Sequence, residues 1–387
     1  MNKLFAQNKI AASETVKINS LALERIRRGD KIFNLSVGEP VLPLPIVIKK
    51  SITAAMKENK TLYPPVSGIG ELREASARWM NKLYGTNLIA ENTLVVNGGK
   101  FGIFLLLQAL LRPGDEVLIP APYWVSYPDM VKLFNGAPKI IRTALRSDWK
   151  ISEKDILKYA SRKSKILIIN NGNNPTGSIY TRGELDRILT AAKKADLFVI
   201  SDEVYSGLVY DDRQYVSCAE FTRGPRMAVI QSCSKNFAMS GLRIGFVFAE
   251  KQIIETLSAF MSQSTSGVAT LSQWAALAAL DNAGKITAKI NETMKKRRDT
   301  FVKTFNLSFK KSLIPPPAGL YCFIPLSALS WDGKNSARFC QEAMKKTGVA
   351  LVPGSAFGQE GYVRFSFGET SEVINQGIRA LSRWLKR

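Results

Sequence analysis

The chain has 387 residues, 45% of them hydrophobic and 22% charged, and its 54 Lys and Arg outweigh 32 Asp and Glu for a formal charge of +22. That composition suits a well-cored globular chain of two domains and excludes a disordered or fibrous one. Histidine is absent, which excludes a Ser-His-Asp triad, an HExxH zinc site and all imidazole acid–base chemistry, so any proton transfer falls to Lys, Tyr, Asp, Glu or Cys.

Along the chain, short β-rich runs alternate with helical periodicity. The pattern predicts a strand over 93–97 and a helix over 101–111, joined by Asn97-Gly98-Gly99-Lys100. A strand over 116–120 and a helix over 126–133 follow, with Pro122-Tyr123-Trp124-Val125-Ser126-Tyr127-Pro128 between them. The next strand, 165–170, leads into Asn173-Asn174-Pro175-Thr176-Gly177 and a helix over 181–195. Strand 197–201 runs into Asp202-Glu203-Val204-Tyr205, and strand 227–233 into Ser232-Cys233-Ser234-Lys235-Asn236-Phe237 and Gly241-Leu242-Arg243-Ile244-Gly245. A strand over 244–248, a helix over 251–261 and a long charged helix over 283–305 precede a short α+β tail. Such alternation predicts an α/β layer around a mainly parallel sheet, with ligands at the carboxyl ends of its strands.

Three of these junctions carry chemistry. Lys235 stands among hydroxyls with an arginine just beyond, and a lysine becomes a useful nucleophile only when burial or a nearby cation lowers its pKa from about 10.4. Ser232, Ser234 and Arg243 suit a phosphate dianion. The strand-to-helix turn at Gly98 and Gly99 presents backbone N–H groups and a helix N-terminus, a second anion cradle. In Tyr362-Val363-Arg364-Phe365-Ser366, an arginine alternating with apolar residues on a predicted strand offers a fork for a carboxylate.

Taken with the order of N-N-P-T-G, D-E-V-Y and Lys235, these motifs resemble the pyridoxal-phosphate enzymes of fold type I, specifically the class I aminotransferases, over about residues 13–383. The pattern is closest to bacterial aspartate aminotransferases that carry Gly-Gly-Lys. The resemblance implies a large domain, 45–292, that binds pyridoxal 5'-phosphate, and a smaller α+β domain from 1–44 and 293–387. It implies that Lys235 holds the cofactor as an imine and then moves the substrate proton, and that Asp202 keeps the ring nitrogen protonated by a charge-assisted hydrogen bond. Tyr205 and Asn174 are expected at the phenolic oxygen. Gly98, Gly99, Lys100, Ser232, Ser234 and Arg243 are expected around the phosphate end, with Trp124 stacked on the ring. Tyr63 matches a tyrosine that reaches across a dimer interface to the phosphate. For substrate, the resemblance implies Arg364 and Gly38 at the α-carboxylate, Trp124 and Asn174 beside it, and Lys100 at the distal carboxylate of a dicarboxylic acid.

The expectation is therefore a homodimeric aminotransferase acting on aspartate or glutamate with 2-oxo acids. Aromatic or prephenate transamination is the alternative, followed by a β-lyase or decarboxylase on the same scaffold and a DNA-binding regulator with an aminotransferase-like module. Two departures bear on specificity: Val41-Leu42-Pro43-Leu44-Pro45 beside the substrate entrance, and Asn171-Gly172 before N-N-P-T-G. The basic pairs are dispersed over helix-like segments without a helix-turn-helix or RNA-binding signature, so no nucleic-acid partner is expected. Cys218, Cys233, Cys322 and Cys340 form no CxxC pair, so neither a metal site nor a disulfide framework is expected. The strongest apolar run, 101–111, is too short to span a bilayer, and a cytoplasmic enzyme is the expectation.

Overall fold

The computed structural model describes residues 12–224 and 226–386; residues 1–11 of the expected small domain lie outside the described residues. The chain enters through the helix Glu14–Arg27 and a two-residue strand, β1 (Phe33–Asn34). Seven strands then build the central sheet: β2 (Thr93–Val96), β3 (Glu116–Ala121), β4 (Ala137–Arg142), β5 (Ser164–Asn170), β6 (Phe198–Asp202), β7 (Met227–Ser232) and β8 (Gly245–Phe248). Their spatial order is β2-β8-β7-β6-β5-β3-β4. β8 pairs antiparallel with both β2 and β7, and the other pairs are parallel.

Parallel strands covered on both faces read as continuous apolar runs. That is the character of Ile166 to Ile169, Phe198 to Ile200 and Ala228 to Ile230. Alternate residues divide between two cores. Ile168, Ile200, Ile230 and Val247 pack on one face with Ile103, Leu106 and Leu107 of the helix Gly99–Leu110. Leu167, Ile169, Val199 and Val229 pack on the other with Leu185, Ile188 and Leu189 of the helix Arg182–Lys194. The result is a three-layer sandwich in which the parallel strands open toward one edge.

A second region comprises β9 (Tyr321–Pro325), β10 (Val349–Ala350), β11 (Val352–Pro353) and β12 (Tyr362–Ser366). β12 lies between β11 and β9, while β10 pairs with β1, tying the beginning of the chain to its end. Phe365 of β12 packs on Phe301 and Phe305, ring centroids 5.5 and 6.4 Å away, in the long helix Ala283–Phe309.

The predicted strands and helices all form, with ends shifted by a few residues. Within the central sheet, one strand has no counterpart among the expected elements. β4 carries Pro138 at its second position, which argues against a central strand; β4 is an edge strand bonded to β3 alone, where a missing N–H is tolerated. The helix expected from 101 starts at Gly99, because Gly98 at φ 86° turns the chain directly from β2 into the helix.

That turn is packed to its limit. A Cβ at Gly245 in β8 would meet Gln231 O at 2.7 Å, Gly99 N at 2.9 Å and Gly98 C at 3.2 Å, all backbone, whereas one at Gly241 would meet nothing within 4 Å. Gly245→Ala is expected to lower stability by about 1–3 kcal/mol, the range for overpacking. Gly241→Ala should be near neutral; denaturant unfolding of the two variants side by side measures the contrast.

Candidate active site

The carboxyl ends of β5, β6 and β7 deliver Asn170, Asp202 and Ser232 to a single cavity of about 350 Å³. Of the residues expected there, Gly38, Gly99, Lys100, Trp124, Asn174, Asp202, Tyr205, Ser232, Ser234, Lys235, Arg243 and Arg364 all line it. Gly98 lies just beneath, its would-be Cβ only 2.6 Å from Arg243 Nη2. Tyr63 does not line the cavity in the single chain; it is 92% exposed beside Leu62 at 82%.

At one end the sequence builds an anion cradle. Ser232 caps the single-turn helix Cys233–Asn236, its Oγ accepting from Ser234 N–H at 3.2 Å and donating to Ser234 Oγ at 3.1 Å. Arg243, at φ 49°, is held by Ser240 O at 2.9 Å and rests against Gly98, so its charge adds to the N-terminus of the helix Gly99–Leu110. A side chain at Gly99 would press on Ile230 and Val204 at 3.1 Å, so glycine keeps the backbone N–H groups accessible.

Two ionisable groups occupy the middle. Asp202 is 3% exposed, and its carboxylate accepts from Tyr127 O–H at 2.5 Å and Val204 N–H at 3.4 Å, both neutral donors. Burial pushes its pKa up to about 6, against the lowering effect of those two bonds. Lys235 is depressed to about 8, chiefly by desolvation, with Arg243 and Arg364 adding repulsion and Glu39 opposing them. Its amine is therefore mostly neutral above about pH 8, where an ordinary lysine remains charged.

Arg364 forms the far end. Its Nη1 donates to Asn174 Oδ1 at 3.0 Å and its Nη2 to Ser36 O at 2.8 Å, while the guanidinium lies over the Tyr321 ring at 4.2 Å. Its Nε is buried without a hydrogen-bond partner. An unmet donor on a buried cation is costly, and a carboxylate entering the cavity would relieve it. Tyr205 O–H, expected to face a phenolic oxygen, meets Tyr321 O–H at 2.9 Å, and Asn174 has committed its oxygen to Arg364, leaving its amide N–H groups to offer. Lys100 stands at the mouth with Nζ 4.9 Å from the Trp124 ring centroid, its pKa lowered by desolvation and by Arg243.

Several participants carry little or no signal in the sequence. Tyr127 sits inside the quoted Pro-Tyr-Trp-Val-Ser-Tyr-Pro run, and its serine-flanked hydroxyl is the available signal. Tyr321 has no motif around it, and the Ser36 carbonyl is backbone, invisible to any side-chain pattern. Ser13, Thr15, Val16 and Asn19 bring the first helix to the cavity mouth. Among the described residues no cluster of His, Cys, Asp or Glu could hold a metal ion, and the four cysteines are buried and free.

Comparison with known proteins agrees with this architecture over its whole extent. The sequence model of the family described as aminotransferase class I and II matches residues 30–381. A probable aspartate/prephenate aminotransferase of Aquifex aeolicus is 33% identical over 378 residues, covering 97% of this chain and 96% of the relative. Among solved structures, the aspartate aminotransferase from Thermus thermophilus with maleate superposes with a TM-score of 0.91 at 31% identity, covering 97% of each chain. An aromatic aminotransferase from Pyrococcus horikoshii gives 0.87 at 32% identity, over 94% of this chain and 98% of that one. The fold is that of the fold type I aminotransferases, and the chain belongs to the class I and II aminotransferase family, enzymes that move amino groups between amino acids and 2-oxo acids.

Proposed function

We propose that the cavity binds pyridoxal 5'-phosphate at Lys235 and transfers amino groups between aspartate or glutamate and 2-oxo acids. The observation that carries this reading is the pairing of an amine depressed to about 8 with a buried carboxyl, Asp202, that has only neutral partners. The residues present fit the cofactor: the Gly98–Gly99 turn with Arg243, Ser232 and Ser234 suits its phosphate, and Asp202 suits a protonated ring nitrogen. When bound, the cofactor supplies an electron sink for the pair left behind as a substrate Cα–H bond breaks.

The protein's own groups do the rest. Trp124 walls one side, and Tyr127 holds the Asp202 carboxylate by a short bond. Arg364, fixed by Asn174 and Ser36, takes the α-carboxylate through its unmet Nε and sets the orientation of Cα. The Lys235 amine, mostly neutral above about pH 8, accepts the Cα proton and returns it one step later. Lys100, at the open end, pairs with a second carboxylate. The maleate of the Thermus relative, itself a dicarboxylate, supports the assignment. The aspartate/prephenate name of the Aquifex relative supports a second reading, in which an aromatic acid or prephenate is one of the partners.

We infer further that the active unit is a homodimer, with the exposed Tyr63 completing the phosphate site of a second copy. Residues 45–292 are assigned as the cofactor-bearing domain, with 1–44 and 293–387 as the smaller one. The +22 charge is assigned to capture of anionic substrates rather than nucleic acid. Among the described residues no helix is long and apolar enough to cross a membrane, and the free cysteines support a reducing, cytoplasmic setting.

Four measurements test these assignments. In cofactor-free protein, acylation of Lys235 followed by peptide mass spectrometry should be half-maximal near pH 8, against about 10.4 for ordinary lysines; borohydride treatment of the loaded enzyme should fix the cofactor on Lys235 and on no other lysine.

Asp202→Asn preserves shape and removes the charge. It is expected to lower kcat by about 100-fold or more while KM changes by less than about threefold, the signature of an interaction that strengthens in the transition state.

Lys100→Met should weaken kcat/KM for aspartate and glutamate by about 1.5–3 kcal/mol, the range for a charged hydrogen bond. Alanine and phenylalanine should be nearly unaffected; equal losses for all four would place Lys100 with the cofactor instead.

A further inference from the structure

Directly behind Lys235 and Asp202 runs a second chain of polar side chains that the reaction does not use. Asn236 follows Lys235, and its Oδ1 accepts from Gly207 N–H at 3.1 Å while its Nδ2 donates to Ser206 Oγ at 3.2 Å. Ser206 Oγ donates to Gln231 Oε1 at 3.0 Å, and Gln231 Nε2 donates to Glu203 Oε2 at 3.4 Å. Glu203, the residue after Asp202, also accepts through Oε1 from Ser201 O–H at 2.9 Å and Cys218 N–H at 2.8 Å. Gln231 and Glu203 are wholly buried, Asn236 is 1% exposed and Ser206 8%. The row thus links the neighbours of the two central ionisable groups through four side chains on three separate segments.

Its polarity is set at both ends. The backbone N–H of Gly207 is a fixed donor, so Asn236 must present its oxygen there and its NH2 to Ser206. Ser206 then donates onward, Gln231 points its oxygen at Ser206 and its NH2 at Glu203, and position 203 accepts. A carboxyl group meets that demand. An amide at 203, with its oxygen on Cys218 N–H, turns its NH2 on Gln231 NH2; flipping Gln231 to relieve that clash takes its oxygen from Ser206 O–H, and either way a buried donor is left unmet, which is heavily penalised.

We propose that Glu203, Gln231, Ser206 and Asn236 form a one-directional hydrogen-bond relay that fixes the position of Lys235 in the cavity, with Glu203 its terminal acceptor. These are positioning residues, acting through the backbone of the Cys233–Asn236 turn. The proposal rests on Lys235 being the reactive amine, and a mismatched link disturbs Ser206 and so strains the Asn236 contact that anchors the turn carrying the lysine.

Exchange of the acidic and amide positions tests it. Glu203→Gln and Gln231→Glu each place like groups face to face, and each is expected to lower kcat by about 10–100-fold with KM little changed, the scale of a small misplacement of a reacting group. In cofactor-free protein each should also move the half-maximal pH of Lys235 acylation from about 8 toward the ordinary lysine value, as the amine reaches water. The double exchange restores every donor to an acceptor. The amide then at position 203 turns its oxygen to Cys218 N–H and its NH2 to the carboxylate then at position 231, which in turn accepts from Ser206 O–H. It should return kcat and the acylation pH close to the wild type. If either single exchange does not fold, Ser206→Ala, which deletes the middle link, should show the same kcat loss and acylation shift in milder form. A double exchange no better than the singles, or variants that lose only thermal stability while kcat and acylation stay as in the wild type, would overturn the relay. The acylation measurement requires no cofactor, and wild-type borohydride fixation elsewhere than Lys235 would instead overturn the proposed function.

Discussion

Everything at this site depends on taking three ionisable groups out of water within one cavity. Asp202 and Arg364 have neutral partners that leave some of their hydrogen-bonding or charge capacity unmet, and Lys235 is pushed toward its neutral form by the same desolvation. Placed in contact, a lysine and an aspartate would have neutralised each other and raised the lysine pKa instead. Keeping the groups apart by fold geometry, and letting burial shift each one, leaves the cavity ready for a ligand that supplies the missing countercharges. The buried Arg364 Nε follows the same logic at the other end of the cavity.

The fold makes this possible because β5, β6 and β7 are parallel, adjacent and buried on both faces. Their carboxyl ends arrive at the same edge, so three loops that are distant in sequence start side by side. The antiparallel β8 then returns the chain so that Arg243 meets the turn at Gly98. Close backbone approach at Gly245 and Gly99 is the geometric condition for that meeting, and a glycine is present at each place where a Cβ would obstruct it.

Much of this is legible in the sequence. Apolar runs ending in polar motifs locate β5, β6 and β7 within a residue or two, because a strand buried on both faces leaves an unmistakable pattern. The chemistry of Lys235, Asp202 and Arg364 can be read from residue type and neighbourhood. What stays hidden are relations between distant segments. Ser36 contributes only a carbonyl, Tyr321 is an ordinary aromatic at the start of β9, and Tyr127 becomes meaningful only when the helix Ser126–Leu133 brings its hydroxyl onto Asp202. β4 escapes because its proline obeys the rules of an edge, which a sequence does not mark.

The guanidinium of Arg364 has one last implication, for biogenesis. It joins β12 to the Ser36 carbonyl, 328 positions earlier, and to Asn174 in the loop after β5. Contacts so remote in sequence form late and slowly, since long loops must close before they are rewarded. During synthesis the central sheet can be completed once β8 has emerged, but the Arg364 end of the cavity stays open until β12 arrives. A nascent chain can therefore bring Lys235 and Asp202 together well before Arg364 closes the cavity, and the last sheet to assemble decides when the cavity is whole.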